Sequence, residues 1–240
     1  MKSPRNTHSI IPNLFTAMNL FCGYYSIINT SEQSYIYAAW LIIIAAVFDA
    51  LDGVVARLTN SSSKLGVELD SLADLLSFGA APAFLIFKIF LFNYNTLGII
   101  ISSLLVLAGG FRLARFNVQL VGFDKSFFKG LPIPSSGIAL ASFILIYYEP
   151  QFGGFAEPYS KFIIPIVILL SFLMVSTIKY DTLPKFTFQE IRKKPYHFGF
   201  ILISVILLAI TSGKALFFIF VFMILFGIFR HIFYLLSKKN

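Results

Sequence analysis

The sequence predicts an all-α protein that crosses a membrane several times. Of its 240 residues, 58% are hydrophobic and 17% aromatic, and the mean hydropathy is +0.83. That composition is far more apolar than the composition of a soluble domain. The apolar runs are continuous and about 20 residues long, which is the length and pattern of a helix that spans the hydrocarbon of a bilayer.

We expect eight transmembrane helices in the order of the apolar runs. They lie near residues 11–29, 36–57, 70–91, 96–117, 132–149, 160–178, 198–212 and 215–236. The segment between the last two, residues 211–214, is either a tight turn or a break in one long hairpin. Residues 1–178 should form a six-helix membrane core, residues 179–197 a cytoplasmic connector, and residues 198–240 a C-terminal hairpin with a basic tail.

The basic residues predict the orientation of these helices. With the N-terminus in the cytoplasm, 16 of the 19 lysines and arginines fall on the cytoplasmic side, as the positive-inside rule requires. Only Lys88, Lys161 and Lys214 fall on the opposite side. Both termini should therefore be cytoplasmic.

The net charge of +8 is spread over several cytoplasmic loops, which indicates contact with anionic lipid headgroups and no role in binding nucleic acid. The single cysteine, Cys22, excludes an intramolecular disulfide and a metal cluster of several cysteines. The membrane lipids are thus the first partner that the composition predicts.

Four aspartates interrupt the apolar sequence of the second and third helices: Asp49, Asp52, Asp70 and Asp74. An ionised aspartate in the middle of a membrane helix costs about 2.5–3.5 kcal/mol on insertion scales. Spacings of three and four residues place each pair on one helix face, and the polar segment 60–64 turns the chain between the pairs. Because hard divalent cations prefer oxygen ligands, the four carboxylates predict a site for one or two Mg²⁺ or Mn²⁺ ions.

Small residues accompany the aspartates. A glycine within a helix costs about 1 kcal/mol relative to alanine, so Gly53 and Gly66 should have a function. We expect Gly53 and Ala56 to leave a groove for a flat ring or a phosphate, and Gly66 to let the two aspartate helices pack closely. Ordinary packing of small residues in a membrane is the alternative. Arg57 either binds phosphate or extends to the lipid headgroups.

The first helix carries a polar stripe at three-residue steps, formed by Asn13, Thr16 and Asn19. Such a stripe should face the protein interior. It could line the nucleotide or metal site, or it could form hydrogen bonds between helices.

A pair of arginines, Arg112 and Arg115, lies three residues apart near the cytoplasmic end of the fourth helix. Guanidinium groups pair well with carboxylate and phosphate, so the pair predicts a cationic wall for an anionic acceptor, with extension to lipid headgroups as the alternative. Asn117 and Lys129 belong to the same cytoplasmic region.

The aspartate motif resembles the signature of the CDP-alcohol phosphotransferase family. It reads Asp49-x-x-Asp52-Gly53-x-x-Ala56-Arg57, eight residues, then Gly66-x-x-x-Asp70-x-x-x-Asp74. The resemblance implies a membrane enzyme, expected as a homodimer, that moves a phosphatidyl-type group from a CDP-linked lipid to an alcohol and releases CMP. It also implies these roles: metal ligands Asp49, Asp52, Asp70 and Asp74; general base Asp74; CDP-lipid-binding residues Asn13, Thr16, Asp52, Gly53, Ala56, Arg57 and Gly66.

Three further segments are similar to the phosphatidylserine synthase branch of that family. They are Pro-Asn-x-x-Thr-x-x-Asn at 12–19, Arg-Leu-Ala-Arg-Phe-Asn at 112–117 and Gly-Leu-Pro-x-Pro at 130–134. This resemblance implies CDP-diacylglycerol and L-serine as substrates, the inner membrane of a prokaryote as the location, and an acceptor site formed by Arg112, Arg115, Asn117 and Lys129.

Two other functions remain as alternatives. A transferase of the same family could act on glycerol phosphate or inositol phosphate, because those acceptors also need cations. A cation-coupled transporter is more remote, because the carboxylates concentrate at one end of the helices and the later helices hold no inverted counterpart.

Overall fold

The computed structural model describes residues 10–59, 63–119, 127–181, 211 and 215–237. Within these ranges the α-helices are α1 (Ile10–Ser31), α2 (Tyr35–Thr59), α3 (Lys64–Asp74), α4 (Ala81–Ile89), α5 (Asn95–Gln119), α6 (Ile133–Tyr147), α7 (Ile163–Val175) and α8 (Ala215–Ser237). Four short strands form two antiparallel pairs in the connections: β1 (Phe127–Lys129) with β4 (Lys179–Asp181), and β2 (Tyr148–Glu149) with β3 (Gly154–Phe155).

The helices are those of a multi-pass membrane protein, and the all-α prediction is confirmed. Four helical segments of the described chain are long and apolar enough to cross a bilayer: Tyr35–Thr59, Lys64–Ile89, Leu91–Val118 and Ala215–Phe233. The apolar helices Ile133–Tyr147 and Tyr159–Val175 are shorter. The expected seventh span, 198–212, lies outside the described residues except for Thr211. The total of eight spans and the division at residues 178 and 197 therefore stay predictions.

The helix that carries Asp70 and Asp74 begins earlier than the apolar pattern predicts, at Lys64. Its start is fixed by Ser63, whose side chain accepts a hydrogen bond of 3.0 Å from the main-chain nitrogen of Gly66. Such an N-cap satisfies one of the free amide groups of the first turn. Ser63, within the polar segment before the helix, thus caps it.

A π-helical segment, Leu75–Ala80, joins α3 to α4 and starts immediately after Asp74. Glycines on two neighbouring helices pack against this segment. A Cβ atom at Gly23 of α1 would collide with Ser77, and a Cβ atom at Gly137 of α6 would lie 3.0 Å from the Cα atom of Phe78. Because π-helical turns are rare and concentrate at functional sites, the position of this segment indicates that Asp74, which precedes it, is a functional residue.

Small residues also hold α1 against α2. Ala38, Ala39 and Ala45 of α2 are completely buried, and the hydroxyl of Ser26 in α1 donates a hydrogen bond of 2.9 Å to the carbonyl of Ala38. Close approach of small side chains is the usual means by which membrane helices associate. It fixes α1 beside the helix that carries Asp49 and Asp52.

Aromatic side chains cluster at the end of the bundle that lies away from the aspartates. Tyr35 packs edge-on against Tyr148 at 5.5 Å between ring centres, and Phe143 contacts Phe155 at 5.6 Å. Tyr35 precedes Asp52 by 17 positions along α2, about 25 Å at 1.5 Å per residue. Aromatic residues are typical of the membrane–water interface, so the cluster marks one surface and the aspartates lie near the other.

Candidate active site

Three of the four motif aspartates meet between α2 and α3. Asp49, Asp70 and Asp74 each present a carboxylate oxygen, and these oxygens all lie within 4.8 Å of one another. Asp49 and Asp70 are partly buried and Asp74 is buried, with 7% of its surface exposed. Carboxylates so close together in an apolar bundle repel one another strongly unless a cation lies among them.

The fourth aspartate, Asp52, is buried on the same side of α2. Its Oδ2 atom accepts a hydrogen bond of 2.9 Å from the hydroxyl of Thr16 in α1. Its charge also acts on Asp49 and Asp70, although it does not belong to the group of three. Thr16 therefore orients a carboxylate at the margin of the cluster.

The polar stripe of α1 contacts the two aspartate helices residue by residue. The side-chain oxygen of Asn13 would lie 3.2 Å from a Cβ atom at Gly66, the hydroxyl of Thr16 reaches Asp52, and the amide nitrogen of Asn19 donates to Oδ1 of Asp74 at 3.3 Å. The expected CDP-lipid-binding residues include Asn13 and Thr16 but not Asn19, which was expected only as a member of the stripe. The signal for Asn19 was its place as the third member of the stripe.

The expected reason for Gly66 needs correction. We expected this glycine to let the two aspartate helices pack closely, yet the atoms nearest to an added Cβ belong to Ser63, at 3.1 Å, and to Asn13. Gly66 therefore makes room for α1 and for the helix cap. The physical reason is that α3 packs along α1, with the first turn of α3 facing Asn13.

The surface beside Gly53 is open. Nothing lies within 4 Å of a Cβ atom placed there, Ala56 is partly buried, and Arg57 is exposed in the last turn of α2. This geometry leaves space for a ligand next to Asp52. The binding of a nucleotide by Gly53, Ala56, Arg57 and Gly66 stays a prediction.

The two arginines of α5 point to different places. Arg112 is buried, with 6% of its surface exposed, and its guanidinium carbon lies 5.8 Å from the centre of the Phe116 ring. It interacts electrostatically with Asp74 and Asp49. A buried cation thus faces the carboxylate cluster from a third helix.

Arg115 instead reaches the end of α7. Its Nη1 atom donates to the carbonyl of Val175 at 2.8 Å, and its Nη2 atom donates to those of Met174 and Ser176 at 3.3 and 3.2 Å. Gly130, with φ of +83°, lies against the same guanidinium, where a Cβ atom would be 2.8 Å from Nη2. Carbonyl groups at a helix C-terminus lack partners in their own helix, so Arg115 stabilises this end.

The other two predicted acceptor residues are Asn117 and Lys129. The amide nitrogen of Asn117 donates to Ser71 at 3.0 Å and to Glu68 at 3.5 Å, which ties α5 to α3. The main chain of Lys129 lies in β1, and its side chain is outside the described part of the structure. Acceptor binding by Arg112, Arg115, Asn117 and Lys129 stays a prediction.

The aspartates fit a divalent metal ion. Oδ1 of Asp70 is buried and has no hydrogen-bond partner among the described residues. A buried polar atom without a partner is costly, and a carboxylate oxygen in this state is a ready ligand for a hard cation. Together with the close approach of Asp49 and Asp74, this atom favours a metal site over a purely structural cluster.

These features define a class: a polytopic α-helical membrane protein with a carboxylate cluster suited to a divalent cation near one end of its helices. The chain belongs to the CDP-alcohol phosphatidyltransferase family, whose family model matches residues 9–229. The resemblance predicted from the aspartate motif is thereby confirmed.

The chain is similar to proteins named for serine as an acceptor. A CDP-diacylglycerol–serine O-phosphatidyltransferase of Helicobacter pylori strain J99 is 36% identical over 231 residues, which cover 96% of this chain and 94% of the relative. The protein of that name from strain 26695 is 39% identical over 183 residues, 76% of each chain. An archaetidylserine synthase of Methanothermobacter thermautotrophicus is 39% identical over 172 residues, 71% of this chain and 69% of its own.

Proposed function

We propose that this protein transfers the phosphatidyl group of CDP-diacylglycerol to the hydroxyl group of L-serine and releases CMP. The observation that carries the proposal is the convergence of Asp49, Asp70 and Asp74 within the motif of a family of CDP-alcohol transferases. The names of the relatives, one of which aligns with 96% of the chain, favour serine over glycerol phosphate or inositol phosphate as the acceptor.

The carboxylates hold the cofactor in this proposal. Asp49, Asp52, Asp70 and Asp74 bind one or two Mg²⁺ or Mn²⁺ ions. Oxygens of Asp49, Asp70 and Asp74 converge, Asp52 is buried beside them, and Oδ1 of Asp70 has no hydrogen-bond partner among the described residues. When bound, the metal neutralises charge on the pyrophosphate and orients it. The Thr16 hydroxyl keeps Asp52 in place.

Asp74 serves as the general base. It takes the proton of the serine hydroxyl while the serine oxygen forms a bond to the phosphorus of the phosphatidyl group. The bond from that phosphorus to the bridging oxygen breaks, and CMP leaves with this oxygen. The role holds for direct and for two-step transfer alike, because the acceptor hydroxyl loses its proton in both. A positioned base of this kind contributes about 10²–10⁴-fold to a rate.

The open surface at Gly53 receives the cytidine nucleotide, and Ala56 and Arg57 of the same helix contact it. Asn13, Thr16 and Gly66 are the other residues that we assign to this binding surface. Arg112 binds the carboxylate of serine, because it is a buried cation that faces the cluster from α5. Arg115, Asn117 and Lys129 complete the acceptor side, with Arg115 also holding the end of α7.

We place the enzyme in the inner membrane of a prokaryote, as a homodimer with both termini in the cytoplasm. The lipid donor enters sideways between helices, and serine arrives from the cytoplasm. The distribution of basic residues supports this orientation, since 16 of 19 fall on the cytoplasmic side of the proposed topology.

The test is CMP release by the purified protein in detergent. CDP-diacylglycerol is supplied with Mg²⁺ or Mn²⁺ and with L-serine, glycerol 3-phosphate or inositol phosphate, each with and without a chelator. Release that needs both serine and metal supports the proposal. Metal-dependent release with another acceptor would support the carboxylate metal site but refute serine as the acceptor. Release that persists in the presence of the chelator would refute the metal requirement.

A further inference from the structure

Asn19 is the residue of α1 that contacts the proposed base. Its side chain is completely buried, and its amide nitrogen donates to Oδ1 of Asp74 at 3.3 Å. Its own side-chain oxygen is buried and has no hydrogen-bond partner among the described residues. Asn19 lies outside the aspartate motif, and the sequence predicts no particular role for it beyond its place in the polar stripe of α1.

The chemistry of the two groups fixes which end of the amide faces Asp74. An ionised carboxylate only accepts hydrogen bonds, so the nitrogen of Asn19 must point to it and the oxygen must point elsewhere. A buried oxygen left without a donor destabilises the fold, because it has lost its hydrogen bonds to water. Buried amides usually satisfy both of their ends, whereas the oxygen of this one has no partner among the described residues.

Asn19 is itself held in place by the segment of chain that follows Asp74. The hydroxyl of Ser77, in the π-helical segment, donates to the main-chain carbonyl of Asn19 at 2.9 Å. Because Gly23 has no side chain, α1 can approach Ser77 closely enough for this contact. The segment that follows Asp74 is thus fixed to the helix turn that contacts the carboxylate of Asp74.

We infer that Asn19 is a positioning residue for Asp74: its amide occupies Oδ1 and thereby leaves Oδ2 for the metal and the acceptor hydroxyl. The inference rests on the proposed function, in which Asp74 is the base. Hydrogen bonds to a charged group are worth about 1.5–3 kcal/mol, so loss of this one should slow turnover about 10- to 100-fold. Substrate affinity should change little, because Asn19 acts through Asp74.

The test compares Asn19→Leu, which keeps the size and removes the amide, with Asn29→Leu in the same helix. Asn29 is a matched control because it is also buried, and its amide donates to the carbonyl of Tyr25 within α1. We measure kcat, the KM values of both substrates, and Mn²⁺ binding by electron paramagnetic resonance. Asn19→Leu should lower kcat about 10- to 100-fold with KM values within about threefold of the parent, and Asn29→Leu should retain kcat within about twofold.

Asn19→Asp separates positioning from packing, because it is isosteric but exchanges the donor for a second carboxylate. It should be at least as slow as Asn19→Leu. A kcat within about threefold of the parent in Asn19→Leu would overturn the inference, as would a rise in KM at unchanged kcat, which indicates substrate binding.

A second variant keeps the test decisive if Asn19→Leu does not elute as a monodisperse species. Ser77→Ala removes the donor to the Asn19 carbonyl and should lower kcat at unchanged KM; a folded Ser77→Ala protein with the parent kcat would then overturn the inference. A failure of the proposed function would show in a different measurement, the choice of acceptor. If the parent uses glycerol 3-phosphate and not serine, the same comparison is made with that acceptor, and the result for Asn19 stands on its own.

Discussion

Each aspartate of the cluster has its own surroundings, and Asp70 is the one whose buried Oδ1 lacks a protein partner among the described residues. We therefore predict that Asp70→Asn loses most Mn²⁺ binding and lowers CMP release about 100-fold or more, because an amide is a weaker ligand than a carboxylate. Electron paramagnetic resonance of Mn²⁺ and the CMP assay measure the two effects.

Glu68→Gln is the matched control for Asp70→Asn. It neutralises a carboxylate in the same turn of α3, but Glu68 is exposed and lies outside the group of three aspartates. It should retain Mn²⁺ binding and activity within about twofold of the parent. Equal losses in both variants would mean that general negative charge on α3, and not the site, binds the metal.

Gly53 offers a test of the nucleotide groove. Since nothing lies within 4 Å of an added Cβ, Gly53→Ala should keep or raise thermal stability, by up to about 1 kcal/mol from helix propensity. It should nevertheless raise the KM for CDP-diacylglycerol several-fold, because the new methyl group would enter the space assigned to the nucleotide. An unchanged KM would remove Gly53 from the binding surface.

Gly23→Ala is the contrast for this measurement. The added Cβ would collide with Ser77, so the protein should lose stability by about 1–3 kcal/mol, as overpacked cores do. The melting temperatures of both variants and the parent, measured in detergent, distinguish a glycine that leaves space for a ligand from one that allows close helix packing.

Arg112 is the candidate cation for the acceptor. Arg112→Gln should raise the KM for L-serine about tenfold or more, because a hydrogen-bonded charge pair is worth about 1.5–3 kcal/mol. The KM for CDP-diacylglycerol should change less. The reverse pattern, a higher KM for the lipid at constant KM for serine, would assign Arg112 to the pyrophosphate.

The comparison of Arg112 with Arg115 shows what the sequence could not provide at this scale. Three residues apart on one helix, they were expected to form one wall. The structure buries Arg112 beside the carboxylates and directs Arg115 to three carbonyl groups at the end of α7. Long side chains on one face can diverge by many ångströms, and the partner of Arg115 lies about 60 positions away in the chain.

At the scale of elements, Arg115 stabilises the C-terminus of α7. Arg115→Lys keeps the charge but cannot reach three carbonyl groups with a fork of donors. We predict that it lowers the thermal stability in detergent by about 1–3 kcal/mol, because the carbonyls lose a charged donor. Lys161→Arg, on an exposed pair with Glu157, is a control that should leave the melting temperature unchanged. An unchanged melting temperature in Arg115→Lys would contradict this role.

The helices themselves follow from local information, and their contacts do not. Apolar runs located α1, α2, α5 and α8, and three- and four-residue spacings located the aspartate faces, because a helix fixes these relations over a few residues. The pairing of Thr16 with Asp52 and of Asn19 with Asp74 spans 36 and 55 positions. Such pairings depend on how the helices cross, which no local pattern specifies, so the stripe of α1 predicted an interior face but not its partners.

The π-helical segment is a second feature beyond the reach of local patterns. Its sequence, Leu-Leu-Ser-Phe-Gly-Ala, continues the apolar character of α3 and α4 without a break. The extra residue of a π turn is tolerated here because Gly23 and Gly137 approach it from two sides. Only the tertiary structure reveals that these glycines belong to one arrangement around Asp74.

At the scale of the whole molecule, the proposed reaction requires the carboxylates to face the compartment that supplies serine. Asp52 lies seven residues before the end of α2 at Thr59, about 10 Å from that end of the helix. The aromatic cluster around Tyr148 and Phe155 occupies the other end. The distribution of lysine and arginine predicts that the aspartate end faces the cytoplasm.

Cysteine labelling tests this orientation. In a Cys22→Ala background, single cysteines replace exposed residues at the two ends: Glu32→Cys and Gln151→Cys at the aromatic end, Lys64→Cys at the aspartate end. An impermeant maleimide added to intact spheroplasts should label the first two and reach the third only after permeabilisation. The opposite pattern would place the metal site outside the cell, where CDP-diacylglycerol and serine are not supplied, and the proposed reaction could not take place in that orientation.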